Sequence, residues 1–314
     1  MDRFENMNAF VRVVELGSIS AAAEQMQVAK SVISRRLKEL EQHLNVQLFH
    51  RTTRQMNLTD TGRAFYQRVT RILDDTLEAE HATSQSHGAL KGNLKIALPL
   101  SFGLMHLGPA INEFLTSHPH ITFDLDFNDR QVDLLLEGYD LAIRIASLPD
   151  SSLIARQLAT IHFVACASPS YLHREGKPEA PKELESRPCL VYNLVNNFDD
   201  VNLYDEENQL IKIKIKPYLK ASNGEFLRDA AINGLGIVIL PVFIVHQAIE
   251  EGLLLPLLTN YRFASLHAYA IYPQTRHLSQ RVRVFVDFLV QRFNGTPYWD
   301  VCLQHTKNTS QSID

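Results

Sequence analysis

Residues 19–44 contain two short amphipathic segments that are separated by only a few residues. In the second segment, apolar side chains recur from Ile33 to Leu44 at steps of four, three and four, which is the spacing of one buried face on an α-helix. The first segment contains Ala21–Ala23, whose small side chains allow another helix to approach the backbone closely. Two short helices joined by a tight turn predict a helix-turn-helix motif.

Local signals set the ends of these helices. A preceding amphipathic segment around residues 7–14 is followed by Gly17, a residue type that commonly ends a helix in the left-handed conformation. Ser20 is the predicted N-cap of the second helix, because a serine hydroxyl accepts a hydrogen bond from a first-turn N–H. The third helix is predicted from about Ala29 to Leu44.

The face of the third helix opposite its apolar stripe carries hydroxyl and cationic side chains. Such side chains reach phosphates and base edges when the N-terminal end of the second helix of the motif enters a major groove. A solvated basic face is the alternative, and it is disfavoured because the run lies on that second helix. The predicted DNA contacts are Lys30, Ser31, Ser34, Arg35 and Lys38.

The segment from Val46 to Leu58 has apolar ends and a polar, basic middle, which predicts a two-stranded wing. Arginines at the tip of a wing can grip phosphate or enter a minor groove, and threonines can donate hydrogen bonds to the DNA backbone. The predicted DNA contacts in the wing are Arg51, Thr52 and Arg54.

Charge is distributed unevenly along the chain. The 314 residues include 31 Lys and Arg against 35 Asp and Glu, and the net charge of −4 argues against a nucleic-acid partner when it is taken alone. Between Val28 and Arg71, however, nine basic side chains face only three acidic ones, so this segment carries +6 and the rest carries −10. The positive segment covers the second helix of the predicted motif, the wing and the start of the long helix, which favours binding to phosphates.

A long helix is predicted from Thr59, its cap, to about Ser86. A helix of that length spans roughly 40 Å, which is longer than the small domain formed by residues 1–58 can cover. Its heptad-like stripe predicts pairing with the same helix of a second copy rather than packing on the body of the same chain. The candidate dimerisation residues are Phe65, Val69, Ile72, Leu73 and Thr76.

Strand and helix patterns alternate in the remaining two hundred or so residues. This rhythm predicts mainly parallel α/β sheets, and the length suffices for two small lobes with a cleft between them. Strands are predicted at 94–98, 121–127, 140–146, 162–167, 190–192, 211–216, 218–222, 237–240 and 267–272. Helices are predicted at 132–137, 225–233, 241–250 and 278–293, with a further one after Ser101.

Two strand-to-helix junctions carry candidate ligands for a small molecule. In open α/β sheets, ligands bind beyond the carboxyl ends of strands, where helix N-termini present free N–H groups. Ser101 opens the helix after the first strand, and Asn223 and Gly224 open another, with Gly224 permitting close backbone approach. Helix capping is the alternative role at each junction, and Ser101 and Asn223 are able to do both.

Arg144 lies within the apolar strand 141–146, where an unpaired buried charge is costly. Its partner is either an acidic ligand or an internal carboxylate such as Asp140. For Phe102 and Phe163, packing in the core is the alternative to ligand binding. The complete set of candidate ligand-binding residues is Ser101, Phe102, Arg144, Ala146, Phe163, Asn223 and Gly224.

Motifs for catalysis or metal binding are absent from the sequence. It contains no nucleophile elbow, phosphate-binding loop or paired-histidine motif, so no catalytic residue, metal or cofactor is expected. The three scattered cysteines indicate a reducing compartment. Neither a secretory signal nor an apolar run of roughly 18 residues is present, which predicts a cytoplasmic protein without a membrane partner.

These motifs together resemble the LysR family of transcriptional regulators. In the head, the resemblance rests on residues 17–24, Ser34-Arg35, Leu40-Glu41, Leu48-Phe49, Arg51-Thr52, Leu58-Thr59 and Gly62. In the body, it rests on residues 140–144 and on residues 234–237 before Leu240-Pro241. Many relatives have a Thr, Gln and Pro run where this chain has Ala29, Lys30 and Ser31, so the family's base preference does not transfer to this helix end.

The resemblance implies an α/β fold with distinct parts. These are a winged helix-turn-helix domain at 1–58, a linker and dimerisation helix at 59–90, and an effector domain at 91–296 like a type 2 periplasmic binding protein. Lobe I would span about 91–163 and 266–296, lobe II about 164–265, and a polar tail 297–314.

The resemblance also implies a function. A ligand-responsive transcription factor of this family binds double-stranded promoter DNA as a homodimer or homotetramer, and RNA polymerase is a further partner. The cleft residues favour a small organic acid or an aromatic compound as the effector.

Two alternatives belong to other functional classes. One is an α/β enzyme whose helical head serves oligomerisation, and the missing catalytic motifs speak against it. The other is a solute-binding module without a DNA function, which the basic helix disfavours.

Overall fold

The computed structural model describes residues 2–50, 57–83, 90–146, 153–194, 199–273 and 278–303. The chain divides into two compact units. The head unit comprises Met1–Gly92 with the short segments Leu135–Gly138 and Ser279–Arg281. The body unit comprises Asn93–Leu134, Tyr139–Leu278 and Val282–Asp314.

The head unit contains the helices α1 (Arg3–Leu16), α2 (Ile19–Gln25), α3 (Lys30–Leu44) and α4 (Asp60–Thr83). The predicted end of α1 at Gly17 is confirmed, because Gly17 adopts a left-handed φ of 64°. The predicted cap of α2 is wrong by two residues. Ser18, with an extended backbone, accepts the hydrogen bond from the Ala21 N–H at 3.4 Å, and Ser20 already lies within the first turn.

The head core contains part of the predicted dimerisation stripe. Phe10 is fully buried, and its ring centroid lies 5.4 Å from that of Phe65 on α4. Val69 and Leu73 are buried in the same core, because the first turns of α4 cover the apolar face of α1. Their side chains are therefore not available to a partner helix.

The base of the wing is the part of it that the structure describes. Phe49 and Leu58 form an isolated antiparallel bridge, and the His50 N–H donates to the Asn57 carbonyl at 2.8 Å. The predicted wing contacts Arg51, Thr52 and Arg54 lie outside the described residues.

The body unit contains two five-stranded sheets and one three-stranded sheet. The first sheet has the order β2-β1-β3-β13-β4 and belongs to what we call lobe I. Its strands are β1 (Gly92–Leu98), β2 (Ile121–Phe127), β3 (Leu141–Ala146), β4 (Leu153–Ile161) and β13 (Leu266–Pro273).

The second sheet has the order β11-β5-β10-β6-β9, and the third has the order β12-β7-β8; both belong to what we call lobe II. The strands of the second sheet are β5 (Phe163–Ala167), β6 (Cys189–Tyr192), β9 (Pro217–Ala221), β10 (Ile237–Pro241) and β11 (Leu255–Leu257). Those of the third are β7 (Asp200–Tyr204), β8 (Leu210–Lys214) and β12 (Arg262–Phe263).

The prediction of mainly parallel sheets is wrong, because both large sheets are mixed. Strands β1 and β3 pair in parallel, but β13 runs antiparallel to both β3 and β4. In lobe II, β10 is parallel to β6 and antiparallel to β5. The chain leaves lobe I after β4 and returns to it with β13. These two strands pair side by side and antiparallel.

The helices of the body pack around these sheets and set up the cleft. Helix α5 (Leu100–Phe102) continues through a π-helical turn (Gly103–Leu107) into α6 (Gly108–Ser117). Helix α7 (Leu134–Glu137) lies almost wholly in the Leu135–Gly138 segment of the head unit. The others are α8 (Pro169–Glu175), a 3-10 turn (Pro181–Ser186), α9 (Gly224–Ile232), α10 (Val242–Glu250), α11 (Gln280–Arg292) and a second 3-10 turn (Tyr298–Asp300). In the described parts of the chain, no helix is long and apolar enough to cross a membrane.

The C-terminal segment differs from the predicted polar tail. Trp299 is fully buried and Cys302 nearly so. The Trp299 ring lies 4.5 Å from that of His106 and 5.7 Å from that of Phe102, measured between centroids. Trp299 and Cys302 therefore pack within the body, because one large aromatic side chain supplies enough apolar area to anchor a short polar segment. A polar tail beyond them stays a prediction. Residues 304–314 lie outside the described part.

Candidate DNA-binding face and effector cleft

Helix α3 presents two chemically distinct faces. Ile33, Leu37 and Leu40 are buried in the head core. The opposite face carries side chains that are all exposed, namely the predicted contacts Lys30, Ser31, Ser34, Arg35 and Lys38. The structure thus brings these five side chains together on one solvent-facing surface, which we call the α3 face.

The N-terminus of α3 suits an anionic partner. Its N-cap residue, Ala29, has an extended backbone and makes no side-chain cap hydrogen bond. The N–H groups of a first turn and the positive end of the helix dipole attract phosphate oxygens. Lys30 and Ser31 follow directly on the exposed surface, so charge, hydroxyl and backbone donors converge at this end of the helix.

Arg36 belongs to the head's structure rather than to the α3 face. Its Nη2 lies 2.6 Å from Glu5 Oε2 on α1, and its side chain is 20% exposed, compared with 69% for Arg35. Glu39 is placed between Arg35 and Asn6, whose Nδ2 donates to Glu39 Oε2 at 3.4 Å. Arg36 is therefore one of the cations counted between Val28 and Arg71, but it pairs with an acid on α1.

Glu41 and Thr59 fix the base of the wing relative to α3. Glu41 Oε1 accepts hydrogen bonds from the Leu48 N–H at 2.8 Å and the Phe49 N–H at 3.3 Å. Thr59 Oγ1 donates to the Gln47 carbonyl at 2.8 Å and accepts from the Gly62 N–H at 2.9 Å, which confirms Thr59 as the cap of α4. The role of Glu41 is not predictable from the sequence, because an acid in a basic helix gives no sign of its distant partners.

A cavity of about 480 Å³ lies between lobe I and lobe II. Apolar side chains from both lobes dominate its wall. Five of the predicted ligand-binding residues line it, namely Ser101, Phe102, Arg144, Phe163 and Gly224. Asn223 adjoins the wall through Gly224, whereas Ala146 pairs with His267 at the end of β3 and is not part of the wall.

Arg144 is the cation of this cavity wall among the described residues. Its Nη2 atom is buried without a hydrogen-bond partner in the described structure. Burial lowers the pKa of Arg144, and the negative charge of Asp129 partly opposes this effect. The alternative partner Asp140 serves another role, because its carboxylate accepts from the Lys95 N–H at 2.9 Å.

Internal carboxylates occupy both junctions that were predicted to bind an anion. Asp129 Oδ1 accepts from the Leu100 N–H at 3.1 Å. Glu225 Oε2 accepts from Ser101 Oγ at 2.5 Å and from Asn223 Nδ2 at 2.9 Å. The predicted capping role of Asn223 is confirmed, since its Oδ1 accepts from the Phe226 N–H at 2.8 Å. Sequence reasoning did not assign Asp129 or Glu225 to the cleft.

Known protein families match both units of this chain. The family described as "Bacterial regulatory helix-turn-helix protein, lysR family" matches residues 4–63. The family described as "LysR substrate binding domain" matches residues 87–294. An uncharacterized HTH-type transcriptional regulator of Haemophilus influenzae is 38% identical to this chain over 285 residues, which cover 90% of this chain and 98% of the relative.

Solved structures of full-length regulators are also similar. The structure of CrgA, a LysR-type transcriptional regulator from Neisseria meningitidis, has a TM-score of 0.60 at 36% identity and covers 93% of this chain and 99% of its own. Full-length AphB from Vibrio cholerae has a TM-score of 0.59 at 27% identity, with coverages of 93% and 100%. With both of its units matched, this chain belongs to the LysR family of DNA-binding transcriptional regulators, which are not enzymes.

Proposed function

We propose that this chain is a ligand-responsive transcription factor that binds a pseudo-palindromic site in double-stranded promoter DNA. The observation that carries the proposal is the α3 face, five exposed hydroxyl and cationic side chains on the second helix of the motif. The protein acts in the cytoplasm, where promoter DNA is accessible, and RNA polymerase is a further partner.

Each part of the α3 face has a distinct task in this proposal. Ser31, Ser34 and Arg35 read base edges in the major groove, while Lys30 and Lys38 bind phosphates. In the wing, Arg51, Thr52 and Arg54 contact the backbone or the adjacent minor groove.

Assembly as a homodimer or homotetramer accompanies DNA binding, because a pseudo-palindromic site requires two heads. Support comes from α4, where Ile72 is an apolar residue that is 48% exposed. Thr76 lies one turn further along the helix and is half-buried. With Phe65, Val69 and Leu73 facing the head core, Ile72 and Thr76 form the part of the predicted stripe that a partner helix contacts.

The effector in this proposal is a small aromatic or otherwise apolar acid. The cavity of about 480 Å³ falls within the usual size range of small-molecule sites, roughly 300–1,000 Å³. Its apolar walls suit a hydrocarbon or aromatic body, and the unpartnered Nη2 of Arg144 suits an acidic group. Effector binding changes the closure of the lobes, and this change alters the spacing or bend that the paired heads impose on DNA.

Arg35→Ala tests the DNA-binding part of the proposal. Sites are first selected from a random DNA library with the wild-type protein, and affinities are then measured by gel shift. We expect affinity to fall by about 5- to 150-fold, since a base-reading arginine contributes about 1–3 kcal/mol. Arg12→Ala is the matched control, because Arg12 is a partly exposed cation on α1 that pairs with Glu15. Equal affinities of the two variants would remove Arg35 from the recognition surface.

A thermal-shift screen of the full chain tests the effector class. Organic acids, aromatic acids and their neutral amides are compared with wild-type protein and with Arg144→Gln. We expect only acids to raise the melting temperature of the wild type, and we expect Arg144→Gln to lose this response. Stabilisation by neutral or cationic compounds alone would contradict an acidic effector.

A further inference from the structure

A carboxylate of the protein itself bridges the two lobes beside the cavity. Ser101, in the first turn of α5 in lobe I, donates its hydroxyl hydrogen to Glu225 Oε2 in lobe II at 2.5 Å. The same oxygen accepts from Asn223 Nδ2 at 2.9 Å. Ser101 and Gly224, the residue before Glu225, both line the cavity. The bridge therefore lies where an effector would meet both lobes.

A second carboxylate lies on the lobe I side of the same cavity. Asp129 of lobe I accepts from the Leu100 N–H at 3.1 Å, and it lines the cavity together with Tyr192, which ends β6 in lobe II. Burial and the charge of Asp129 raise the pKa of this tyrosine. Each lobe thus places one carboxylate at the cavity.

These carboxylates accept hydrogen bonds from the donors that a bound acidic ligand would also need. The Ser101 hydroxyl and the Asn223 amide are the side-chain donors at the two junctions, and both already point to Glu225. Hydrogen bonds to a charged acceptor are roughly twice as strong as neutral ones. Two carboxylates do not share such donors, because like charges at close range disfavour each other.

We infer that Glu225 is an internal ligand of the cleft, which holds Ser101 and Asn223 in the effector-free protein and is displaced by the acidic group of an effector. This inference rests on the proposed function and names how that site is regulated. Glu225 is only half-buried, so its side chain can move to solvent without opening the core. Glu225 thereby acts as a specificity determinant, because a neutral compound of the same shape cannot replace a carboxylate at these donors.

Chemical rescue tests the inference in the full-length protein. Glu225→Ala removes a CH₂–COO⁻ group, and acetate supplies the same group in solution. We expect Glu225→Ala to lower the melting temperature of the body by about 5 °C. Sodium acetate should restore most of this loss, whereas sodium chloride at the same ionic strength should not. Glu206→Ala, which removes an exposed acid at the turn between β7 and β8, is the matched control and should change neither measurement.

A second set of variants keeps the test decisive if the alanine variant folds poorly. Glu225→Gln preserves the size of the side chain and removes its charge, and Ser101→Ala removes the donor. We expect the double variant to lose less stability than the two single variants together, because both single changes break the same bond. Rescue by acetate should also disappear when Ser101→Ala is added to Glu225→Ala.

Two results would overturn the inference. One is an unchanged melting temperature for Glu225→Ala and Glu225→Gln. The other is an equal effect of acetate on the wild type, Glu225→Ala and Glu206→Ala. Neither result bears on the α3 face, so the inference can fail while Arg35→Ala still weakens DNA binding. Conversely, an unaltered DNA affinity of Arg35→Ala would count against the proposed function and leave the bridge intact.

Discussion

Trp299 should behave as a core residue of the body despite its position in a polar C-terminal segment. It is the chain's single tryptophan, it is fully buried, and its ring lies 5.0 Å from that of Tyr298 and 6.3 Å from that of Phe243. Replacing a fully buried tryptophan with alanine costs about 3–5 kcal/mol. For a unit of this size, each kcal/mol corresponds to about 2–4 °C, so Trp299→Ala should lower the melting temperature by roughly 6–20 °C.

The contacts of Trp299 extend this prediction from stability to the cleft. Phe102 of lobe I and Phe243 of lobe II both touch the Trp299 ring and both line the cavity. Ligand binding in the cavity should therefore change the fluorescence of this tryptophan. A compound that stabilises the wild type in the thermal-shift screen should shift its emission in proportion to occupancy.

Thermal unfolding followed by circular dichroism checks the stability, and fluorescence checks the environment of the ring. Trp299→Phe is the matched control and should lose much less stability, because it keeps an aromatic ring in the same place. A loss below about 2 °C for Trp299→Ala, or emission typical of a water-exposed indole, would refute the reasoning and restore the interpretation of this segment as a free polar tail.

The remaining predictions concern the head and the pair formed by the partly exposed His162 and the buried Asp300. Gly62→Ala should destabilise the head unit by on the order of 3 kcal/mol in chemical unfolding, because a Cβ atom there would lie 2.0 Å from the Leu48 carbonyl oxygen; Gly108→Ala, with its nearest neighbour at 3.5 Å, should be nearly neutral. His162 Nδ1 lies 2.8 Å from Asp300 Oδ2, and this hydrogen bond raises the pKa of His162. The stability of the wild type relative to His162→Gln should therefore be greatest below about pH 6.5 and fall as the pH rises through the raised pKa. Burial lowers the pKa of His106 to about 4, so His106 makes the folded protein less stable as the pH falls. This effect is the same in the wild type and in His162→Gln, and it leaves the difference in their stabilities unchanged.

Elements with strong local signals could be predicted from the sequence. Apolar spacing predicts α3 and strict alternation predicts β2, and the structure has these elements at Lys30–Leu44 and Ile121–Phe127. Strand β4 was missed because three consecutive exposed residues, Ala155 to Gln157, interrupt its apolar pattern. It is a strand because β13 pairs with it along almost its whole length, which is a tertiary cause.

Long-range partners account for what the sequence could not show of the candidate site. A heptad-like stripe on α4 has the same spacing whether it meets a partner helix or the head core, and for Val69 and Leu73 the partner is the core. Glu225 looks like an ordinary acid in a first helical turn, since its second partner, Ser101, lies 124 positions away. Arg144 stands out in the sequence because a charge within an apolar strand is a local anomaly, whereas the acid whose charge acts on it most strongly, Asp129, is visible only in the fold.

The salt dependence of DNA binding tests the role of the α3 face most directly. Each phosphate contact contributes about 0.9 to the slope of log affinity against log salt concentration. If Lys30 and Lys38 bind phosphates and Arg35 reads a base, the triple alanine variant should bind the selected site far more weakly, with a slope reduced by about 2. A control that removes three cations elsewhere, Arg12, Arg174 and Arg292, each paired with a carboxylate, should keep the wild-type slope. Equal slopes for the two triple variants would contradict DNA binding through the α3 face.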